Sequence, residues 1–212
     1  MTFSIKELTV SRTFAKDERS IISDLNFFAP SRSITLLKGA NGSGKSTLLD
    51  TIAGLIRPSK GSISLDNIWL HQLSLKSAAI HRSYLQQRAD FTLGYQVEEI
   101  LQLATRHCVK SSRVRSLKSL GRELDIEHLF NRSVLELSGG ERQRVSLAIV
   151  LIREVPLYLF DEPLSAQDVA HCDLIATYLE KIARSGAIIL IATHESSALD
   201  RVADQEITLE NP

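Results

Sequence analysis

The 212-residue sequence has little of what stabilises a small secreted protein or anchors a chain in a bilayer. Its two cysteines, Cys108 and Cys172, have no CxxC spacing, so we expect reduced thiols and no cysteine-built metal site. The longest apolar runs, "LAIVLI" and "AIILIA", are too short to cross a membrane. The N-terminal segment "MTFSIKELTVSRTFAKDERS" mixes charges throughout and predicts neither a secretory signal nor a transit peptide.

An excess of charge of one sign is also absent, because 25 Lys and Arg residues balance 25 Asp and Glu residues. No overall positive field exists to neutralise many phosphates, so nucleic acid is not an expected partner. Hydrophobic residues make up 43% of the chain, which is enough for one well-buried domain. No internal repeat or low-complexity linker interrupts it.

Three solidly apolar segments predict the centre of the fold: "ITLLKG", "VPLYLFDEP" and "GAIILIATH". Each precedes a helical stretch, and apolar strands that alternate with helices are typical of a parallel sheet covered on both faces. The N-terminal segments "TFSIKELTV" and "ISDLNFFAP" alternate apolar and polar residues, as half-buried antiparallel strands do. The sequence therefore predicts an α/β fold with an N-terminal antiparallel β subdomain.

Helical periodicity replaces strand patterns between Gln87 and Ser133, where "VEEILQLATRH" and "VRSLKSLGRELDIEHLF" stand. We expect a single domain over 1–212, with a core of 1–86 and 134–212 and an inserted helical subdomain over 87–133. Ligands of parallel α/β sheets bind beyond the carboxyl ends of the strands. The motifs that follow the three apolar segments should therefore meet at one edge.

The stretch "GANGSGKST" fits the pattern GxxxxGK[ST] between a predicted strand and a predicted helix. Glycines let successive backbone N–H groups face phosphate oxygens, and the helix start adds unsatisfied donors and a positive dipole end. A glycine-rich turn without a ligand is the alternative, but the strand-loop-helix context favours a phosphate loop. The residues predicted to contact the phosphates are Gly39, Ala40, Asn41, Gly42, Ser43, Gly44, Lys45, Ser46 and Thr47. Lys45 supplies a mobile positive charge to the β and γ phosphates, and Ser46 a hydroxyl ligand to Mg²⁺.

An acidic pair, Asp161 and Glu162, follows "LYLF" directly. Taken alone, such a pair is typical of a helix cap or a solvated corner. Beside a phosphate loop it predicts that Asp161 holds Mg²⁺ and that Glu162 acts as the general base for water, since phosphoryl transfer depends on positioning and charge neutralisation.

His194 ends the third apolar segment. It is either a polar residue that leaves the core or a hydrogen-bond donor to the γ-phosphate or the attacking water, and the second role makes it a catalytic candidate.

A second glycine motif, "LSGGERQR", precedes the long helix predicted over "VSLAIVLIRE". Ser138 is a good helix cap, which is one interpretation of the motif. Two glycines, Gly139 and Gly140, are unfavourable at a helix start unless a close backbone approach is required, which favours a second anion-binding turn.

With these motifs in order, the chain resembles the nucleotide-binding subunit of an ABC transporter over essentially its whole length. "GANGSGKST" resembles Walker A, "LYLFDE" Walker B and "LSGGERQR" the signature of that family. The resemblance implies a P-loop NTPase (RecA-like) core, ATP as substrate, Mg²⁺ as cofactor and ATP hydrolysis. It also implies that Gln87 is the Q-loop glutamine, catalytic and a Mg²⁺ ligand, and that Phe14 stacks on adenine.

The resemblance further implies a head-to-tail homodimer in which Ser138, Gly139 and Gly140 of one copy close over ATP held by the other. The expected partners are transmembrane permease subunits and a substrate-binding protein, at the inner face of the cell membrane. The departures from the family pattern are Gln86 for proline, Gln167 for leucine in the D-loop "LSAQD", and Ser31 to Ser33 for a Pro-Gly-acid turn.

Two segments, "AAIHRSYLQQRADFTLGYQVEEIL" and "SAQDVAHCDLIATYLEKIARSGAIILIATH", resemble ATPases of siderophore, haem and cobalamin importers. Import of a metal chelate or a cofactor is therefore the expected role. The alternatives are an exporter ATPase, a soluble ABC ATPase that acts on DNA or ribosomes, and a regulator that no longer hydrolyses ATP. The second would carry a coiled coil between Walker A and the signature or a second cassette, and the third would lack Glu162 or His194.

A basic run without acidic residues lies between Arg106 and Arg122. It is either a solvated face or a surface that attracts anionic lipids or acidic groups of a permease. Its members are Arg106, Lys110, Arg113, Arg115, Lys118 and Arg122.

Overall fold

Two β-sheets frame the fold of the chain, one antiparallel and one parallel. The computed structural model describes residues 1–14, 17–87, 91–106, 113–194 and 197–210. The antiparallel sheet has the order β2-β1-β4-β5, with strands β1 (Thr2–Phe14), β2 (Asp17–Pro30), β4 (Lys60–Leu65) and β5 (Ile68–Trp69). The parallel sheet has the order β6-β7-β8-β3-β9, with strands β3 (Ser33–Lys38), β6 (Arg82–Leu85), β7 (Leu157–Asp161), β8 (Ile188–Ala192) and β9 (Gln205–Thr208).

Both faces of the parallel sheet are buried because the central strands β7 and β8 are apolar at every position except Asp161, where β7 ends. Along β7, Leu157 and Leu159 point into one core while Tyr158 and Phe160 point into the other. The first core also contains the inner face of the antiparallel sheet, and the second is covered by helices. This two-sided burial explains the continuous apolar runs of the sequence.

Seven α-helices lie within the described residues: α1 (Lys45–Ile52), α2 (Leu75–Ala78), α3 (Val97–Arg106), α4 (Leu117–Glu123), α5 (Gly139–Leu151), α6 (Val169–Arg184) and α7 (Ser197–Asp200). Helix α1 packs Leu48, Leu49 and Ile52 against the core shared with the antiparallel sheet. Helices α5 and α6 cover the opposite face of the parallel sheet. None of the described helices has the length and apolar character that a membrane span requires.

The predicted α/β class, the parallel core and the antiparallel N-terminal strands are confirmed. Strands β4, β5 and β6 were missed, since "KGSISL" and "RSYL" are short and rich in polar residues and β5 spans two residues. The segment 87–133 contributes α3 and α4 and, in its described part, no strand of either sheet. These helices bury Val97 and Leu120 in the same core as Phe160, so the proposed division into core and subdomain stays a prediction.

The basic run does not form one free cationic face where the structure describes it. The Arg115 guanidinium donates to the carbonyl oxygen of Leu151 and to the Tyr158 hydroxyl, and Arg122 pairs with Glu127 at 3.0 Å. Lys110 lies outside the described residues. At least two members are therefore engaged in contacts within the protein instead of contributing to one continuous cationic face.

Candidate functional site

Three neighbouring parallel strands, β7, β8 and β3, end side by side and bring the predicted motifs to one edge. Asp161 pairs in register with Ala192, which in turn pairs with Leu37. Backbone hydrogen bonds between neighbouring segments continue just beyond the strand ends. The Glu162 N–H donates to the Ala192 carbonyl at 2.9 Å, and the Thr193 N–H donates to the Leu37 carbonyl at 3.2 Å. The convergence predicted from the strand ends is thus present.

The loop between β3 and α1 adopts a backbone that requires glycine. Gly39 has φ 145°, and a Cβ there would lie 2.5 Å from the Leu209 carbonyl oxygen. Gly44 has φ 94° and stands at the N-cap of α1 without a side-chain capping bond. The first turn of α1 contains no acidic residue, so no side chain of the helix itself neutralises the positive end of its dipole. This is the arrangement that binds phosphate.

Lys45 is only 7% exposed and lies over this loop. Its Nζ donates to the carbonyl oxygens of Gly39 at 2.7 Å and Ala40 at 3.1 Å. The ammonium group is therefore held at the loop by neutral acceptors, and phosphate oxygens with full charges are stronger acceptors for the same protons.

Asp161 is 3% exposed, and burial raises the pKa of its carboxyl above the ordinary value. A hydrogen bond from the Ser46 side chain and the charges of Lys45 and His194 oppose that shift in pKa. The Asp161 carboxylate and the Ser46 hydroxyl lie in contact, and both are hard oxygen ligands of the kind that Mg²⁺ prefers. The residues present therefore fit the predicted magnesium site.

Asp50 and Tyr84 were not predicted from the sequence, yet both border this site. The Tyr84 hydroxyl donates to Asp50 Oδ1 at 3.1 Å, and the charge of Asp50 contributes to the raised pKa of Asp161. Asp50 stands four residues after Ser46 on α1, a spacing that places two residues on one helix face. That spacing was the signal in the sequence that could have identified Asp50.

Replacing Asp161 with Asn is expected to stabilise the nucleotide-free protein. A carboxyl whose pKa is raised by folding binds protons better in the folded state, so its ionised form destabilises the fold above that pKa. We expect D161N to raise Tm by about 2–4 °C near pH 8. The difference should shrink as the pH is lowered toward the unfolded-state pKa, about 4. Thermal scans of both proteins from pH 8 to pH 5 test this, and a Tm lowered by D161N at pH 8 would contradict it.

Glu162 lies beside His194 at the centre of the edge. Its Oε1 is buried and has no hydrogen-bond partner among the described residues, and His194 Nε2 lies 3.5 Å away. Burial raises the pKa of Glu162, while the nearby charge of His194 opposes the shift. Glu162 itself has φ 51°, a left-handed conformation that is strained for a residue with a Cβ. Because Oε1 makes no hydrogen bond within the described part of the chain, it is available to accept a proton from water.

The "LSGGE" turn begins α5 with a complete capping box. Ser138 Oγ accepts from Glu141 N–H at 3.3 Å, and Glu141 Oε2 accepts from Ser138 N–H at 2.8 Å. The interpretation of Ser138 as a cap is therefore correct. Ser138 and Gly139 are also exposed, so the turn remains accessible to a second molecule.

For Gln87 and Phe14, two further predicted site residues, the structure gives no side-chain contact with the site. Gln87 is exposed and lies two residues beyond the end of β6, at the same edge as Asp161. Phe14 ends β1, but its side chain lies outside the described part of the chain. The roles predicted for both residues stay predictions.

Comparison with known proteins supports one family. The sequence profile described as "ABC transporter" matches residues 22–165. The vitamin B12 import ATP-binding protein BtuD of Vibrio atlanticus (strain LGP32) is 35% identical over 88% of this chain and 78% of its own length. The hemin import ATP-binding protein HmuV of Nocardia farcinica (strain IFM 10152) is 30% identical over 91% of this chain and 68% of its own. The molybdenum import ATP-binding protein ModC of Haemophilus ducreyi (strain 35000HP / ATCC 700724) is 34% identical over 88% of this chain. The match covers 53% of that relative's own length, so this chain spans about half of it.

Solved structures agree with the sequence comparisons. A structure described as the ATP binding subunit of an ABC transporter superimposes with a TM-score of 0.86 at 26% identity, covering 100% of this chain and 87% of that one. A structure described as a dimeric ATP-binding cassette bound to ADP and phosphate superimposes with a TM-score of 0.85 at 22% identity. The match covers 98% of this chain and 94% of that one, and it supports the fold. The chain belongs to the ABC transporter family and is an ATP-binding ATPase subunit of that family.

Proposed function

We propose that this chain is the Mg²⁺-dependent motor subunit of an importer, hydrolysing ATP to drive solute through a separate membrane permease. The observation that carries the proposal is the meeting of Lys45, Asp161, Glu162 and His194 at one sheet edge, each beside the loop or strand end that positions it. Such a site combines phosphate binding with a carboxylate that is free to accept a proton.

The residues act by binding and positioning. Backbone N–H groups of the phosphate loop and the Lys45 ammonium bind the phosphates of ATP. Ser46 and Asp161 would hold Mg²⁺, with Gln87 as a further ligand, and the bound ion neutralises phosphate charge. Glu162 accepts the proton of the attacking water through Oε1, which makes no hydrogen bond to another described residue. His194, 3.5 Å from Glu162, orients that carboxylate and donates toward the γ-phosphate.

A second copy completes each site. The turn of Ser138, Gly139 and Gly140 closes over the nucleotide held by its partner, which gives a self-complementary dimer with two equivalent sites. Support comes from the exposure of Ser138 and Gly139 at the start of α5. Two similar solved cassettes are described as dimers, at 22% and 23% identity.

We infer that the cargo is a metal chelate or a cofactor. The names of relatives that are 35% and 30% identical specify import of vitamin B12 and hemin. A binding protein that delivers the cargo to the permease is a further partner of such an importer. The chain would then sit peripherally at the inner face of the cell membrane, held by the permease.

An apolar groove of about 360 Å³ is the surface we assign to the permease. Its lining includes Leu55, which is 51% exposed, together with Phe91 and Ile149. Tyr84 joins the groove to the nucleotide edge, since its hydroxyl bonds Asp50 of α1. A partner helix seated there could therefore sense changes at the site.

Introducing a charge at Leu55 is expected to release the chain from its permease. A buried leucine side chain contributes about 1.5–3 kcal/mol, so L55D should weaken binding to membranes of the source organism about 10-fold or more. Sedimentation of the purified protein with those membranes measures this, while ATP hydrolysis in solution should stay at the parent rate. F28D, at a 63% exposed site on the antiparallel sheet, is the control. Equal sedimentation of L55D and parent would contradict the assignment.

A further inference from the structure

A lysine at the end of β3 joins three elements at the nucleotide edge. Lys38 directly precedes Gly39 of the phosphate loop. Its Nζ lies 2.8 Å from Asp200 Oδ1, in α7, and 2.7 Å from Glu206 Oε1, in β9. Hydrogen bonds to these two carboxylates raise the pKa of Lys38, so the ammonium group stays charged near neutral pH. One cation therefore fastens α7 and β9 to the strand that leads into the phosphate loop.

The alternation of side chains along β3 places these charged groups on the helix-covered face of the parallel sheet. Leu36 is buried in the core beneath the helices and Leu37 in the opposite core, so Lys38 returns to the helix-covered side. Glu206 pairs in register with Leu36, which puts it on the same side. Leu199 of α7 is buried in that core with 0% exposure. An apolar contact and an ion pair therefore hold α7 against the same face of the sheet.

Helix α7 holds the chain that follows His194. It begins three residues after His194, and its last residue, Asp200, pairs with Lys38. On the other side of the histidine, the Thr193 N–H donates to the Leu37 carbonyl at 3.2 Å. The two ends of this short segment are thus attached to consecutive residues of β3. The position of His194 relative to the phosphate loop therefore depends on both attachments.

The arrangement of the charges favours positioning over simple stabilisation. An isolated ion pair on a protein surface contributes little to stability, because water and salt screen it. The side chain of Asp200 is 41% exposed and that of Glu206 is 46% exposed. Two carboxylates around one ammonium group nevertheless specify where that group lies, since it donates to both at once. Arg201 adds an ion pair to Asp173 of α6, so the end of α7 is held from two directions.

We propose that Lys38 is a positioning residue for His194. By holding α7 at Asp200, Lys38 keeps the segment after β8 in the position from which His194 reaches Glu162 and the γ-phosphate. Glu206 fixes the ammonium group from the other side, and so it determines where Asp200 is held. The attachment acts within one protomer and one nucleotide site. This proposal rests on the role of His194 in the proposed function.

Replacing Lys38 with Met tests the proposal, because methionine keeps an unbranched stem and removes the charge. A misplaced histidine lowers the rate, so K38M should reduce kcat of ATP hydrolysis about 3- to 10-fold. ATP affinity, titrated in the E162Q background, should change less than about 2-fold because the phosphate loop is intact. K38R should keep the parent kcat within about 2-fold, since a guanidinium group can donate to both carboxylates. Phosphate release from radiolabelled ATP measures the rates, and thermal unfolding confirms that each variant is folded.

Combining K38M with H194A shows whether the lysine acts through the histidine. Residues that act as a unit are not additive, so K38M should have almost no further effect on kcat in the H194A protein. An equal loss in both backgrounds would overturn the proposal, as would a K38M protein with a lowered Tm but the parent kcat per folded molecule. If H194A alone hydrolysed ATP at the parent rate, the role of His194 in the proposed function would fail, and that failure would appear without any change at Lys38.

K181M is the matched control for loss of a paired lysine. Lys181, in the last turn of α6, pairs with Glu123 of α4, and its replacement should leave kcat unchanged. D200N carries the test if K38M does not fold. Because it leaves Lys38 one of its two carboxylates, D200N should lower kcat about 2- to 5-fold in the parent and not in H194A. The parent kcat in D200N, or a loss in K181M as large as that in K38M, would contradict the proposal.

Discussion

Replacing Glu162 with Gln is expected to reduce kcat of ATP hydrolysis by about 10²–10⁴-fold, the usual contribution of a general base. Glutamine keeps the size of the side chain but cannot accept the proton of the attacking water. Because Lys45 and the phosphate loop are unchanged, ATP affinity should persist, and ATP-bound dimers should accumulate. Phosphate release and size-exclusion chromatography with Mg²⁺ and ATP measure the two effects.

The pH dependence gives a second readout on Glu162. Burial raises the pKa of this carboxyl, and only its ionised form acts as a base. The kcat/KM of the parent should therefore fall as the pH drops through a value above the ordinary glutamate pKa of about 4.3. The part of the acidic limb that Glu162 causes should be absent from E162Q, so that any limb that remains reports Asp161, whose pKa burial also raises.

E127Q provides a matched control for E162Q. Glu127 is a partly exposed carboxylate that pairs with the exposed Arg122, and neither residue has a role in the proposed chemistry. It should retain the parent kcat and the parent pH profile. If E162Q hydrolysed ATP as fast as E127Q, Glu162 could not be the base and the assignment of the site would be wrong.

Replacing Lys45 with Ala is expected to weaken ATP binding about 10²-fold. Hydrogen bonds to a charged group contribute about 1.5–3 kcal/mol each, and Nζ is already held at the loop where phosphate oxygens would lie. Titration of ATP into K45A in the E162Q background measures the affinity without interference from hydrolysis.

Two comparisons make the Lys45 result specific. K45R should also bind poorly, because a position with 7% exposure has little room for a guanidinium group. K60A, which removes an exposed lysine at the start of β4, should bind ATP as the parent does. An unchanged dissociation constant for K45A would mean that the ammonium group does not reach the phosphates.

The sequence predicted where most residues of the candidate site lie because each position is fixed locally, while the roles of these residues stay predictions. "GANGSGKST" specifies a loop and a helix start within nine residues, and α1 begins at Lys45 as expected. Asp161 and His194 were predicted from their places at the ends of apolar strands. The register of the parallel strands then brought these ends together, because Asp161 pairs with Ala192 and Ala192 pairs with Leu37.

Contacts between residues distant in sequence were not predictable in the same way. The link from Tyr84 to Asp50 joins a short polar strand, missed as a strand, to a helix. Gln167 was noticed only as a departure from a pattern, and its two bonds depend on how the loop packs on α5. The periodicity of a single sequence does not predict which loop packs against which helix.

The sequence by itself determined the chemistry and the class of fold, because phosphate loops, buried strands and helix caps follow from neighbouring residues and their spacing. Only the tertiary structure decided the environment of each group: the burial that raises the pKa of Asp161 and Glu162, the Oε1 of Glu162 that makes no hydrogen bond to another described residue, and the bonds of Gln167 to Gly140 and Arg144. Burial and electrostatic fields are sums over everything nearby in space, and spatial neighbours are set when the chain has folded.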